Sequence, residues 1–313
     1  MNPLMPGALW KQFGDQVQEN IPLAPYTSAR IGGPADYLMI ARSTDELASA
    51  IRACWDTDQA YLLIGAGSNL LVGDKGLRGM AIINKAKTTQ FRPGPEPTVW
   101  VESGALFSNL AHRCAAQGFA GLEWAATIPG TVGGAVYGNA GAFGGDTAHD
   151  LLRAEILTET GRAWWSAEEM QYAYRSSRLK RENSLASRNP RARALILSAE
   201  FRLKNSAADA IQNIIDQLTA RRKASQPAGA SMGSMFKNPA GDFAGRLIEA
   251  AGLKGTRIGS AEISTLHANF FINHSNQTQA RDIRALIELA QKSVKEKFGV
   301  ELELEVELVG EWE

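Results

Sequence analysis

Two glycine-rich segments and one segment rich in polar side chains hold the groups best suited to chemistry. In Gly65-Ala66-Gly67-Ser68-Asn69-Leu70, two glycines followed by a serine and an asparagine can turn several backbone N–H groups toward one point, a nest suited to a pyrophosphate. An ordinary tight turn has the same composition. It is not the dinucleotide fingerprint, because Leu70 stands where the third glycine belongs and no helical pattern follows. Ile128-Pro129-Gly130-Thr131-Val132-Gly133-Gly134-Ala135 offers a second such surface, with Thr131 adding a hydroxyl. Two separated loops of this kind suit an extended dinucleotide.

Gly233-Ser234-Met235-Phe236-Lys237-Asn238-Pro239 sets a hydroxyl, an ammonium and an amide beside an aromatic ring and a stiffening proline. No GxSxG elbow surrounds Ser234, so a hydrolase triad has no local support, whereas a proton-donating serine stays open beside a plain capped loop. Arg175, in Tyr174-Arg175-Ser176-Ser177-Arg178, reads by itself as a surface residue. Glu305 reads as one of four glutamates on the solvated face of an alternating strand.

These groups need elements to carry them. Tyr61-Leu62-Leu63-Ile64 reads as a strand opening into the first loop, with a second strand at 81–83. Leu106, Leu110 and Cys114 are spaced for a helix that stops near Gly118. Residues 128–145 hold seven glycines and one proline, too many breakers for a regular helix, which predicts a long functional loop anchored by its apolar residues. A domain boundary is expected in the polar stretch 180–193 or, preferably, just after the strand-like 194–203. A helix over 244–251 would be capped by Asp242 and ended by Gly252. A longer one over 278–298 would be capped by Thr278 and stopped by Gly299. Leu302, Leu304, Val306 and Leu308 then alternate with four glutamates, the pattern of a strand with one buried face.

Lys+Arg and Asp+Glu are equal at 33 each, so nothing argues for a nucleic-acid partner. No apolar run spans a bilayer, and the first residues lack the pattern of a secretory leader, which predicts a cytoplasmic location. Cys54 and Cys114 form no CxxC pair and the four histidines form no HxH or HxxxH pair, so no metal is expected and both thiols read as core residues.

Taken together, the sequence resembles the UDP-N-acetylenolpyruvoylglucosamine reductase family over nearly its whole length. The resemblance rests on Thr27-Ser28-Ala29-Arg30-Ile31-Gly32-Gly33-Pro34-Ala35, the two glycine-rich segments, Asn139-Ala140-Gly141-Ala142-Phe143-Gly144, Tyr174-Arg175-Ser176-Ser177 and the Gly233 to Pro239 segment. It continues through Leu247-Ile248-Glu249-Ala250-Ala251-Gly252-Leu253-Lys254-Gly255, His267-Ala268-Asn269-Phe270 and Leu304-Glu305-Val306. It implies an α+β fold: an FAD-binding module of the vanillyl-alcohol-oxidase type made of two subdomains, 1–85 and 86–205, then a C-terminal α+β substrate-binding domain, 206–313.

It also implies roles. Ser234 would be the proton donor, with Arg175 and Glu305 as the other catalytic residues; Lys237, Asn238 and Tyr174 would face substrate. Non-covalent FAD would lie against Gly65, Ala66, Gly67, Ser68, Asn69, Leu70, Pro129, Gly130, Thr131, Gly133, Gly134, Asn139 and Gly141. The implied reaction reduces the enolpyruvyl ether of UDP-N-acetylglucosamine enolpyruvate with NADPH as hydride donor, by a protein that works as a monomer. Thr127 departs from the family's usual glycine, as Tyr137-Gly138-Asn139 does from a Met-Asn approach, and the chain lacks the substrate-capping insertion of one branch. The competing readings are another flavin oxidase on the same scaffold and a flavin- or nucleotide-sugar-binding protein without turnover.

Overall fold

The computed structural model describes residues 7–186, 194–275 and 277–312. Three sheets organise them. The first runs in the order Val17–Pro22, Pro34–Ala41, Leu77–Asn84, Tyr61–Ile64; its first pair is antiparallel and the other two pairs are parallel. Helix Thr44–Asp56 provides the crossover that parallel strands require. Ser43 caps it by accepting the Glu46 N–H, and its apolar face buries Leu47, Ile51 and Cys54 against Met39, Met80 and Ile82.

The second sheet is antiparallel throughout, in the order Gly161–Ser166, Leu151–Thr158, Ala194–Arg202, Thr98–Glu102, Thr89–Arg92. Helix Phe107–Ala116 packs on it through Leu110 and Cys114 of the expected stripe, but Leu106 precedes the helix and lies exposed, and Phe107 takes its place in the core. Helix Ala208–Ser225 adds Ile211 and Ile215 to the same core, so this helix belongs by packing to the second sheet although the expected division starts a new unit at 206. Of the expected boundary stretch 180–193, part is helix Arg178–Ala186 and 187–193 lies outside the described residues.

The third sheet follows the order Ala230–Ser234, Phe270–Asn273, Ala261–Ile263, Arg257–Ile258. Helices Ala244–Ala250 and Ala280–Phe298 cover it, burying Leu247, Ile248, Ile283, Leu286, Ile287 and Val294. This unit is stitched to the first. Ser28 Oγ donates to the Ser231 carbonyl at 2.7 Å, Asn273 Nδ2 donates to the Ala29 carbonyl at 2.8 Å, and Asp74 accepts the N–H groups of Ala280 and Arg281 at 2.7 and 3.0 Å. A carboxylate from the first unit thereby satisfies two orphan donors at a helix start, where the helix dipole also favours it.

Four further local expectations are corrected. The glycine-rich 128–145 segment contains helix Val132–Gly138, because Thr131 caps it and Val132, Ala135 and Val136 bury in the second core, outweighing the cost of its glycines. The 278–298 helix is capped by Gln279 with Asp282 in a reciprocal box, not by Thr278, while Gly299 ends it in the left-handed region at φ 70°. Asp242 does not cap the 244–250 helix; it accepts the Phe243 N–H and pairs with Arg246, while Asn238 reaches forward to the Ala244 N–H at 3.1 Å. The alternating 301–308 run forms strand only at Glu307–Val309, parallel to Leu70–Val72. Leu302 and Val306 are buried as the period predicts, but Leu308 lies exposed at the sheet edge and Glu305 turns inward.

Candidate active site

The two glycine-rich segments pack against each other. A Cβ at Gly65 would stand 2.4 Å from Thr131 Oγ1, and one at Gly130 would stand 2.9 Å from Ser68 Oγ. Glycine is therefore required at Gly65 by close approach and, with φ 130°, at Gly130 by conformation as well. Gly67 takes φ 60° and rests on the backbone of Tyr26 and Thr27. Among the described residues, no acceptor meets the backbone N–H groups of Ala66, Gly67, Ser68, Gly130 or Thr131. The N–H groups of Val132 and Gly133 go instead to Ala105 and Ser103, and that of Gly134 to Thr131 Oγ1. The free donors of the two loops thus include those of Ala66, Gly67, Ser68, Gly130 and Thr131, the arrangement an extended diphosphate needs. Pro129 lies exposed beside them.

Asn69 joins this cradle to the second cluster. Its Nδ2 donates to the Glu305 carbonyl at 3.0 Å and its own carbonyl accepts the Glu307 N–H at 2.9 Å. Leu70 begins the strand that pairs with Glu307–Val309. The backbone of Glu305 also donates to the Met235 carbonyl at 2.9 Å, one residue after Ser234, and Phe236 bridges Leu304. Ser234 ends the strand that pairs with Phe270; its hydroxyl has no hydrogen bond to another described residue. Asn269 fixes the next turn, accepting the Phe236 N–H at 2.9 Å and donating to its carbonyl at 2.8 Å.

Arg175 arrives from the second unit on a two-residue turn closed by reciprocal bonds between Ala173 and Ser176. Its φ of 54° is left-handed, a conformation that costs an arginine free energy and that surrounding contacts must hold. Asn139, itself at φ 48°, donates to the Ala173 carbonyl at 3.1 Å and accepts the Ala148 N–H at 3.0 Å, so both ends of its amide are committed to holding that turn. The Arg175 Nε lies 2.9 Å from Glu305 Oε1, an ion contact not aligned as a hydrogen bond, and the guanidinium sits over the exposed Tyr174 ring at 5.6 Å.

Burial pushes the Glu305 carboxyl above the ordinary carboxylate value, against the opposing pull of Arg175, Lys180 and Lys237. Lys237 pairs with Glu303, and Lys180 with Glu307 at 3.2 Å. Lys180 was not singled out in the sequence, where its only signal is its place five residues after Arg175. Asn238 is exposed, with its oxygen given to the Ala244 N–H. A cavity of about 570 Å³ opens between Asn139, the hairpin of residues 141–146 and the Tyr172–Arg175 turn, with Gly141 in its wall.

A diphosphate cradle on an α+β frame, abutted by a separate unit carrying the hydroxyl and the acid, defines a flavin-binding oxidoreductase scaffold. A family model described as "FAD binding domain" matches residues 35–166, and one described as "UDP-N-acetylenolpyruvoylglucosamine reductase, C-terminal domain" matches residues 225–309. The UDP-N-acetylenolpyruvoylglucosamine reductase of Chloroflexus aggregans is 46% identical over 94% of this chain and 97% of its own, and that of Rubrobacter xylanophilus 42% identical over 93% and 94%. The crystal structure of the Thermus caldophilus UDP-N-acetylenolpyruvylglucosamine reductase superposes with a TM-score of 0.76 at 33% identity, over 94% of this chain and 98% of that one. The chain belongs to the UDP-N-acetylenolpyruvoylglucosamine reductase family.

Proposed function

We propose that this protein is an FAD-dependent, NADPH-driven reductase of UDP-N-acetylglucosamine enolpyruvate, forming UDP-N-acetylmuramate for peptidoglycan. The observation that carries the proposal is the convergence of Arg175, Glu305 and the Ser234 segment beside a glycine cradle whose free N–H groups fit a dinucleotide diphosphate. FAD, when bound, would supply the two-electron chemistry that couples NADPH to reduction of the enolpyruvyl methylene carbon.

The protein's part is to bind, orient and move protons. Gly65–Leu70 with Gly130 and Thr131 hold the diphosphate through backbone donors, while Gly133, Gly134 and Asn139 support that wall through contacts within the protein. Arg175 presents its planar fork to the substrate carboxylate, on which electron density grows as the methylene is reduced. Its present partner, Glu305, is a carboxyl already biased toward its neutral form, so arrival of a second carboxylate at Arg175 favours proton uptake by Glu305 further. Ser234 donates its proton to the substrate carbon adjacent to the carboxylate, and Lys237 adds a positive charge. Tyr174 and Asn238 line the approach.

We read 1–85 and 86–205 as the two halves of the cofactor module and 206–313 as the substrate unit. We also read the protein as a cytoplasmic monomer; no helix among the described residues is long and apolar enough to cross a membrane. An anaerobic absorbance experiment tests the function. Adding NADPH should bleach the flavin, and UDP-N-acetylglucosamine enolpyruvate should restore it. Bleaching without recovery would refute the substrate, and a protein that takes up no FAD would refute the whole reading.

A further inference from the structure

The Ser234 hydroxyl has no hydrogen bond to another described residue, so its direction is set by the backbone that carries it. That backbone is irregular. Strand Ala230–Ser234 pairs Ser231 with Ile272 and Ser234 with Phe270, which puts one extra residue on its side of the ladder. Such a bulge bends the strand and re-aims the side chain beside it. Gly233 takes up the bend at φ 74°, in the left-handed region that a glycine enters without steric cost.

Beyond Ser234 the strand ends, and one residue holds the chain in its place. The Met235 N–H donates to the Asn269 carbonyl at 2.8 Å, and the buried Asn269 amide accepts the Phe236 N–H at 2.9 Å and donates to the Phe236 carbonyl at 2.8 Å. Asn269 is itself fixed. Its N–H donates to His267 Nδ1 at 3.2 Å, and in the turn before it Ser264 Oγ accepts the N–H groups of Leu266 and His267. The opposite edge of the same segment meets the approach to the last strand: the Lys237 N–H donates to the Glu303 carbonyl, and the Glu305 N–H to the Met235 carbonyl, each at 2.9 Å.

The segment therefore carries Ser234 at one end and abuts Glu305 at its side, but the two depend on Asn269 to different degrees. Glu305 has a second brace in Asn69, whose Nδ2 donates to its carbonyl at 3.0 Å. For Ser234, the two residues that follow are tied to the third sheet through Asn269. We propose that Asn269 is a positioning residue for the proton donor, its amide strap fixing the direction in which the bulge presents the Ser234 hydroxyl. This rests on the functional reading above and adds a residue to it.

The test is a kinetic double-mutant cycle on the FAD-loaded protein: parent, Asn269→Leu, Ser234→Ala and the double variant, each followed by stopped-flow absorbance in both stages. Leucine is close to asparagine in size while offering neither donor nor acceptor. Asn269→Leu should leave flavin reduction by NADPH within about twofold of the parent and slow reoxidation by UDP-N-acetylglucosamine enolpyruvate by about 10- to 100-fold, the effect of a displacement near 1 Å. In the Ser234→Ala background the same substitution should slow reoxidation by less than about threefold, because a residue that acts through Ser234 has nothing left to position. An equal loss in both backgrounds would overturn the inference, since it marks a general structural role. So would an unchanged reoxidation rate in Asn269→Leu, or in Ser234→Ala. Should the leucine variant not fold, Asn269→Ser, which leaves room for a water between itself and Phe236, enters the cycle under the same criteria. A parent whose reduced flavin is not reoxidised by this substrate would instead refute the functional reading, and this inference with it.

Discussion

Arg175 and Glu305 meet at 2.9 Å from different units of the molecule, and each is held by a hydrogen bond from an asparagine: Asn139 to the Ala173 carbonyl for the arginine, Asn69 to the backbone carbonyl of the acid. The pair is thus fixed through its backbones more than through its side chains. That leaves the guanidinium able to change partner when a carboxylate substrate enters.

Arg175→Lys should keep flavin reduction by NADPH and lose about 10²- to 10³-fold in flavin reoxidation by the enolpyruvyl substrate, comparable to removing one donor from an oxyanion site. Stopped-flow absorbance separates the stages. A variant that reoxidises at the parent's rate would show that the planar fork is not used.

Ser234→Ala should likewise spare the first stage and slow the second by about 10²- to 10⁴-fold, the usual worth of a positioned acid. The hydroxyl has no hydrogen-bond partner among the described residues, so the melting temperature should stay close to that of the parent. Unchanged turnover would remove Ser234 from the proton path.

Lys180→Met tests the electrostatics around Glu305. Lys180 favours the ionised acid, and its removal also leaves the Glu307 carboxylate uncompensated; both changes favour the protonated form. The limb of the kcat/KM pH profile governed by Glu305 should therefore move to higher pH, and Lys180→Arg should restore it. A shift to lower pH would contradict the sign.

Gly65→Ala should cost FAD affinity, because the new methyl group would stand 2.4 Å from Thr131 Oγ1 and push the two loops apart. The purified variant should be pale and require added FAD. Adding Thr131→Ala should recover part of the affinity, at about 1 kcal/mol of stability for the lost helix cap. An equally yellow single variant would mean that the loops separate without consequence.

Asp74→Ala removes the carboxylate that caps helix Ala280–Phe298 across the unit boundary. Unfolding should become easier by about 1 to 2 kcal/mol in denaturant titrations, with the flavin spectrum intact. A loss of flavin instead would show that Asp74 acts on the cradle.

Much of this architecture was legible in the residues. Helical spacing gave the Phe107–Ala116 and Ala280–Phe298 helices, and the apolar run before Gly65 gave the strand that delivers the first loop. What failed did so where long-range packing overrode local pattern. The glycines of 133–138 join a helix because Gly133 packs on Ser103 while Val132, Ala135 and Val136 bury in the second core, and Asn238 displaces Asp242 as the source of the cap. Glu305 shows the same limit most sharply. Alternation places it on a solvated face, and only the bend that carries residues 304–307 from the Met235 segment to Asn69 turns it into the site. Its importance came from family resemblance, since no local signal separates it from Glu301, Glu303 or Glu307.

The parallel pairing of Leu70–Val72 with Glu307–Val309 also has a temporal meaning. During synthesis the cofactor loop emerges early, yet its neighbouring strand and the carbonyl that anchors Asn69 are among residues made much later. A nascent chain stopped anywhere before residue 305 would display the glycines without their brace. Secure retention of the yellow cofactor would then report that translation had passed that point, and flavin would serve the growing chain as a late seal rather than an early nucleus.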